Sequence, residues 1–194
     1  MTRLGAYSAA MEICDPGLRE HAERVGEIAG RIASRLGWDG ARLDDLRLGA
    51  ALHDVGKVNV RSEILRKAGA LEPAELAEVR AHPVEGMWLV AGVRSLQQVF
   101  PYVLFHHERW DGDGYPTRRA GEDIPLQGRL LAVADAYDAM TSARPYRAPL
   151  RFAEAVAEVE RCAGTQFDPE IVAAFLGAVE AGEIDDPQPL AATG

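Results

Sequence analysis

All five histidines of the chain, His21, His53, His82, His106 and His107, stand in settings that raise the question of metal binding. His53 and Asp54 close the apolar run LRLGAALHDVGK. Adjacent residues of a helix point about 100° apart, so the pair can meet one ion from two sides, or the carboxylate can bridge two ions. An HD dipeptide alone is weak evidence, since a polar helix end with Asp54 in water accounts for it as well. His106-His107 follows FPYVLF, which draws at least one imidazole inward. Two buried neutral imidazoles need partners for several ring nitrogens, and metals supply them directly. Asp135 lies in LLAVADAYDAM, where its near neighbours are apolar except Asp138. A carboxylate on such a face is costly unless it is paired or binds a cation.

With His21 on the inner stripe of its helix and His82 just before Pro83, the candidates form an ordered set: His21, His53, Asp54, His82, His106, His107 and Asp135. Imidazole with carboxylate is a donor set for iron, manganese, zinc, cobalt or nickel. The set exceeds what one tetrahedral ion needs. Two ions sharing Asp54 would use it, and such pairs activate water for in-line displacement at phosphorus. The chain has no G-x-S-x-G elbow, no Walker loop and no reactive-cysteine context.

Helices must position these residues. Leu18, Val25, Ile28, Ala29, Ile32 and Leu36 recur at three- and four-residue spacing, with Gly37 as the stop. A second helix is expected over about 43–54, with Gly56 where it ends, and Pro73 opens a third. Residues 96–107 read as helical, with Pro101 marking a start or kink. Glu108 to Pro125, rich in Gly and Pro, reads as a long loop of the kind that carries function. Helices follow over about 126–140 and 152–162, and Asp168 caps a last one to about Val179. Trp38, Trp88 and Trp110 are most simply packing residues. The expected architecture is all-α, one domain over residues 1–182 with a flexible tail over 183–194.

A net charge of −9 argues against a nucleic-acid polymer or a membrane surface as partner, though not against a small phosphorylated substrate. Cys14 and Cys162 form no CxxC pair. The N-terminal residues lack a signal-peptide core, so the cytoplasm is the expected compartment.

The segments HDVGK, HP, HHERWDGDGYP, ADAYDAMTSARPYR and GTQFDP resemble, in order and spacing, the HD-GYP family of HD phosphohydrolases, over about residues 6–176. That resemblance implies a bacterial cyclic di-GMP phosphodiesterase yielding pGpG, with further cleavage to GMP open. It implies that the same seven residues are metal ligands for divalent ions, iron or manganese. It assigns Lys57, Gly114, Tyr115, Arg144 and Arg147 to the substrate, the cations to phosphate and Tyr115 to the guanine pocket. Where some members of the family have a glutamate that helps to hold a third metal, this chain has Gly17, so two ions are expected unless a nearby carboxylate such as Asp15 or Glu20 takes that place. Asp138 and Glu108 are expected to support the site rather than to ligate. The rival readings are another cyclic dinucleotide or nucleotide as substrate, or a receptor that binds cyclic di-GMP without hydrolysing it. A homodimer and an upstream sensory or receiver domain are compatible with the family.

Overall fold

The computed structural model describes residues 17–142 and 148–185. Arg144 and Arg147 lie outside these, as does Cys14. The described residues form helices α1 (Leu18–Arg35), α2 (Gly40–Leu52), α3 (Ser62–Leu65), α4 (Pro73–Arg80), α5 (His82–Ala91), α6 (Phe100–Phe105), α7 (Leu126–Thr141), α8 (Phe152–Arg161) and α9 (Pro169–Glu180). Short 3-10 turns join them at Val55–Asn59, Arg94–Val99 and Gly121–Asp123. Among the described residues there is no strand, and no helix is long and apolar enough to cross a membrane. The architecture is all-α, as the periodicity implies.

Helix α1 is the spine. Leu18, Val25, Ala29 and Ile32 are buried along one stripe, at the spacing that puts them on one face. That face packs on α2, α7 and α9. Gly37, at φ 76°, takes the left-handed conformation that ends the helix.

Helix α2 differs from expectation at both ends. It starts at Gly40, and it stops at Leu52, so His53 and Asp54 lie on the turn leaving it. Gly56 is not a helix stop. Its backbone is pressed against α5, where an added Cβ would lie 1.9 Å from His82 O and 2.5 Å from Gly86 N. A similar contact joins α7 to α6, where a Cβ on Gly128 would lie 2.6 Å from that of Phe105. Glycine lets these backbones approach, and both contacts sit beside site residues.

Pro101 falls in the first turn of α6, so it marks a start rather than a kink. Asp168 caps α9 by accepting from Glu170 N at 2.8 Å. Packing continues past residue 182: Ile184 is buried in the core and Glu183 pairs with Arg35 at 3.0 Å. The remainder of the expected tail lies outside the described residues. Trp38 is buried as expected, but Trp88 is 67% exposed on α5, which corrects its reading as a packing residue.

Candidate metal centre

Every member of the ligand set except Asp135 stands within a turn of a helix end. His21 is in the first turn of α1, His53 and Asp54 follow α2, His82 opens α5, and His106 and His107 follow α6. Helix ends leave backbone carbonyls without intrahelical partners, and imidazoles take them up here. His53 Nδ1 donates to Ala50 O at 2.7 Å, and His82 Nδ1 to Val79 O at 2.7 Å. His106 Nδ1 is shared between Tyr102 O at 3.1 Å and Val103 O at 3.0 Å. A carbonyl only accepts, so in each neutral ring the proton is on Nδ1 and the lone pair on Nε2.

Those lone pairs converge. His82 Nε2 lies 3.2 Å from His106 Nε2 and 3.2 Å from Asp54 Oδ1, and His106 Nε2 lies 3.8 Å from the same oxygen. His53 Nε2 is 3.3 Å from Asp54 Oδ2. His53 Nε2 and Asp54 Oδ1 are buried with no hydrogen-bond partner among the described residues. Acceptors facing acceptors in a buried site repel unless a cation lies among them. The residues present therefore fit a divalent ion of intermediate softness.

The ligand atoms fall into two groups that share Asp54. Those of Asp54, His82, His106 and His107 lie within 4.8 Å of one another, and so do those of His21, His53 and Asp54. Asp135 stands beside the second group, its Oδ1 at 3.3 Å from His21 Nε2. Thus the chain brings together all seven sequence-predicted ligands, from five helices and the turns that follow them.

Charges follow the geometry. Burial, aided by the neighbouring imidazoles, holds His106 far below the usual histidine range. Burial also brings His107 down to about 3. Both are neutral donors near neutral pH. Burial pulls His21 downward too, but hydrogen bonds to Asp135 and Asp138 outweigh it and raise His21 to about 9. Burial opposes ionisation of Asp54, yet Lys57 and His53 keep its carboxyl well below the carboxylate range. Asp135 is likewise held low against burial, chiefly by His21.

Around this centre stand the supporting groups. His21 Nδ1 lies 2.7 Å from Asp138 Oδ2. Asp138 also accepts from Arg24 Nε at 2.6 Å, and Arg24 Nη2 reaches Ser142 Oγ at 3.1 Å. Asp138 thus fixes the His21 ring, while Arg24 escaped the sequence reading. Its place three after His21 on the same helix was the available signal. Lys57 Nζ lies 2.6 Å from Asp54 Oδ2.

The loop after His107 folds back over the site. Glu108 Oε1 accepts from Thr117 N at 2.6 Å and Thr117 Oγ1 at 2.8 Å, which ties the two sides of the loop. Tyr115 N donates to His107 O at 3.1 Å, and the Tyr115 ring stacks on His107 with centroids 4.8 Å apart. Gly114 is buried. A Cβ there would lie 2.4 Å from Arg109 N, so this glycine permits the fold-back. The GTQFDP segment holds the loop from outside: Trp110 N donates to Gln166 O at 3.1 Å and Asp111 N to Thr165 O at 2.8 Å. Arg80, also absent from the sequence reading, lays its guanidinium carbon 5.3 Å from the Tyr115 ring centroid. As an exposed residue at a helix end it carries no signal in the sequence.

Comparison with known proteins gives a consistent picture. The HD domain family matches residues 7–171. A protein of Thermotoga maritima named cyclic di-GMP phosphodiesterase is 40% identical over 167 residues, covering 85% of this chain and 45% of that protein. A Vibrio cholerae protein named 3'3'-cGAMP-specific phosphodiesterase 2 is 36% identical over 158 residues, covering 80% of this chain and 30% of that one. The chain therefore spans less than half the length of these curated relatives. Among solved structures, the HDG"Y"P protein Bd1817 of Bdellovibrio bacteriovorus has the same fold, with TM-score 0.67 at 22% identity, over 84% of this chain and 52% of that one.

Proposed function

This chain belongs to the HD domain family, in the HD-GYP branch that its motifs resemble, and we propose that it is a metal-dependent phosphodiesterase acting on cyclic di-GMP. The observation that carries the proposal is the sharing of Asp54 between two converging ligand groups, His21/His53 on one side and His82/His106/His107 on the other. That division favours two ions, with Asp135 joining His21 and His53. Gly17 offers no side chain for a third. Iron or manganese suits the imidazole and carboxylate donors.

Bound there, divalent ions polarise a phosphoryl oxygen and make a water molecule more acidic. The chain supplies the rest. Asp54 holds the two ligand groups together from the turn after α2. Lys57, at 2.6 Å from Asp54, sets a cation beside the position of the scissile phosphate and offsets charge as it develops. Tyr115, held on His107, walls the site toward the loop and meets the guanine nucleotide. Arg144 and Arg147, outside the described residues, are assigned to phosphate by the family motif, and an arginine fork suits that task. Opening one 3'-5' diester gives linear pGpG, and a second cut gives GMP.

The test is elemental analysis of anaerobically purified protein followed by product chromatography. About two metals per chain, with pGpG or GMP appearing from cyclic di-GMP, is the expected result. Metal present with cyclic di-GMP untouched would overturn the substrate. Because one relative is named for 3'3'-cGAMP, that dinucleotide belongs in the same assay as the second reading.

A further inference from the structure

Arg80 ends α4, two residues before His82. Its neighbour Val79 provides the carbonyl that fixes the His82 ring. The Arg80 side chain is exposed and makes no ion pair with any described residue. It lies over one side of Tyr115 at 5.3 Å, while the Tyr115 ring stacks on His107 at 4.8 Å and 27°. His107 in turn meets His82 edge-on at 5.0 Å. The residues His82, His107, Tyr115 and Arg80 thus form one continuous wall that starts in the ligand set and ends in a guanidinium facing water.

Held among the described residues by one aromatic ring, Arg80 is weakly fixed. Its donors remain available for an anion. One ring, Tyr115, stands between it and His107 of the ligand set. A cyclic dinucleotide carries two phosphodiesters, and only one of them is cut at a time. In a chain of net charge −9, the second diester needs a local cation. We propose that Arg80, laid over Tyr115, binds the phosphodiester that is not being cleaved, and so favours two-phosphate substrates over simple diesters. This inference rests on the cyclic dinucleotide reading above.

The experiment compares metal-loaded wild type, Arg80→Ala and Arg80→Lys on cyclic di-GMP and on bis(p-nitrophenyl) phosphate, which has a single diester. Binding of cyclic di-GMP is read separately by calorimetry. For Arg80→Ala, KM and Kd for cyclic di-GMP should rise about tenfold with kcat little changed. Arg80→Lys should recover much of that loss, since it keeps the charge without the fork. Metal content and kcat/KM on the small diester should not move in either variant. Equal losses on both probes would mean that Arg80 only supports Tyr115 and the site, and would overturn the inference. Wild type that binds cyclic di-GMP while Arg80→Ala binds it as tightly overturns the inference alone. Wild type that does not bind cyclic di-GMP overturns the substrate reading, and the inference with it.

Discussion

Asp54 is the residue that both candidate ligand groups share. Its Oδ1 faces the His82 and His106 nitrogens, and its Oδ2 faces His53 and Lys57. Asp54→Ala should abolish binding of both ions and lower turnover at least about a thousandfold, since several kcal/mol of transition-state stabilisation are lost with them. Metal analysis and product chromatography on the same sample check this, and a variant with full activity would contradict the mechanism. Asp138 acts at one remove. Asp138→Asn keeps an acceptor for His21 but lowers the charge facing Arg24, so the ring is held less firmly. Its metal affinity should fall about 10–100-fold with the fold intact, as read by chelator competition alongside thermal melting.

At the scale of elements, two glycines in similar sequence settings have opposite predicted effects. Gly56 lies in the turn after α2, 1.9 Å from where an added Cβ would strike His82 O. The clash is with backbone, so α5 must move, and His82 moves with it. Gly56→Ala should cost about 3 kcal/mol or more in a denaturant titration and should lower metal retention as well. Gly30, in the middle of α1, would bring its Cβ within 4 Å of no described atom. Gly30→Ala should therefore stabilise the protein by about 0.5–1 kcal/mol, because alanine loses less backbone entropy on forming a helix. A loss at Gly30 as large as that at Gly56 would refute the account of close helix approach. The loop over 108–125 obeys the same logic of elements. It is long, yet it is ordered because Glu108 ties its near side to Thr117 and the Gln166 and Thr165 carbonyls tie its far side.

The molecule as a whole closes around buried acceptors that metal would satisfy. Binding to the folded chain alone stabilises it by about 2.7 kcal/mol at a hundredfold excess over Kd. For a domain of this size that corresponds to about 5–10 °C in Tm. Chelation should lower Tm by that amount and re-addition of manganese or iron should restore it; a Tm indifferent to chelator would argue against metal at this centre.

Much of this was determined by the sequence itself. That these residues could gather into a cluster suited to metal was legible because ligand chemistry belongs to residue type, and imidazoles and carboxylates on apolar runs are costly without a cation. The helices were legible because burial of one face imposes a three- to four-residue period, as along α1. What only the tertiary structure decided depends on contacts between distant segments. It set Asp54 on a turn instead of inside α2, and it made Gly56 a contact between elements instead of a stop. It left Trp88 in water and brought Arg80 over Tyr115. It also closed residues from 21 to 107 into two groups that share Asp54, with Asp135 beside His21. Periodicity reports which face of a helix is buried, but not what lies opposite, and the meeting of helix ends is fixed only when the whole core packs.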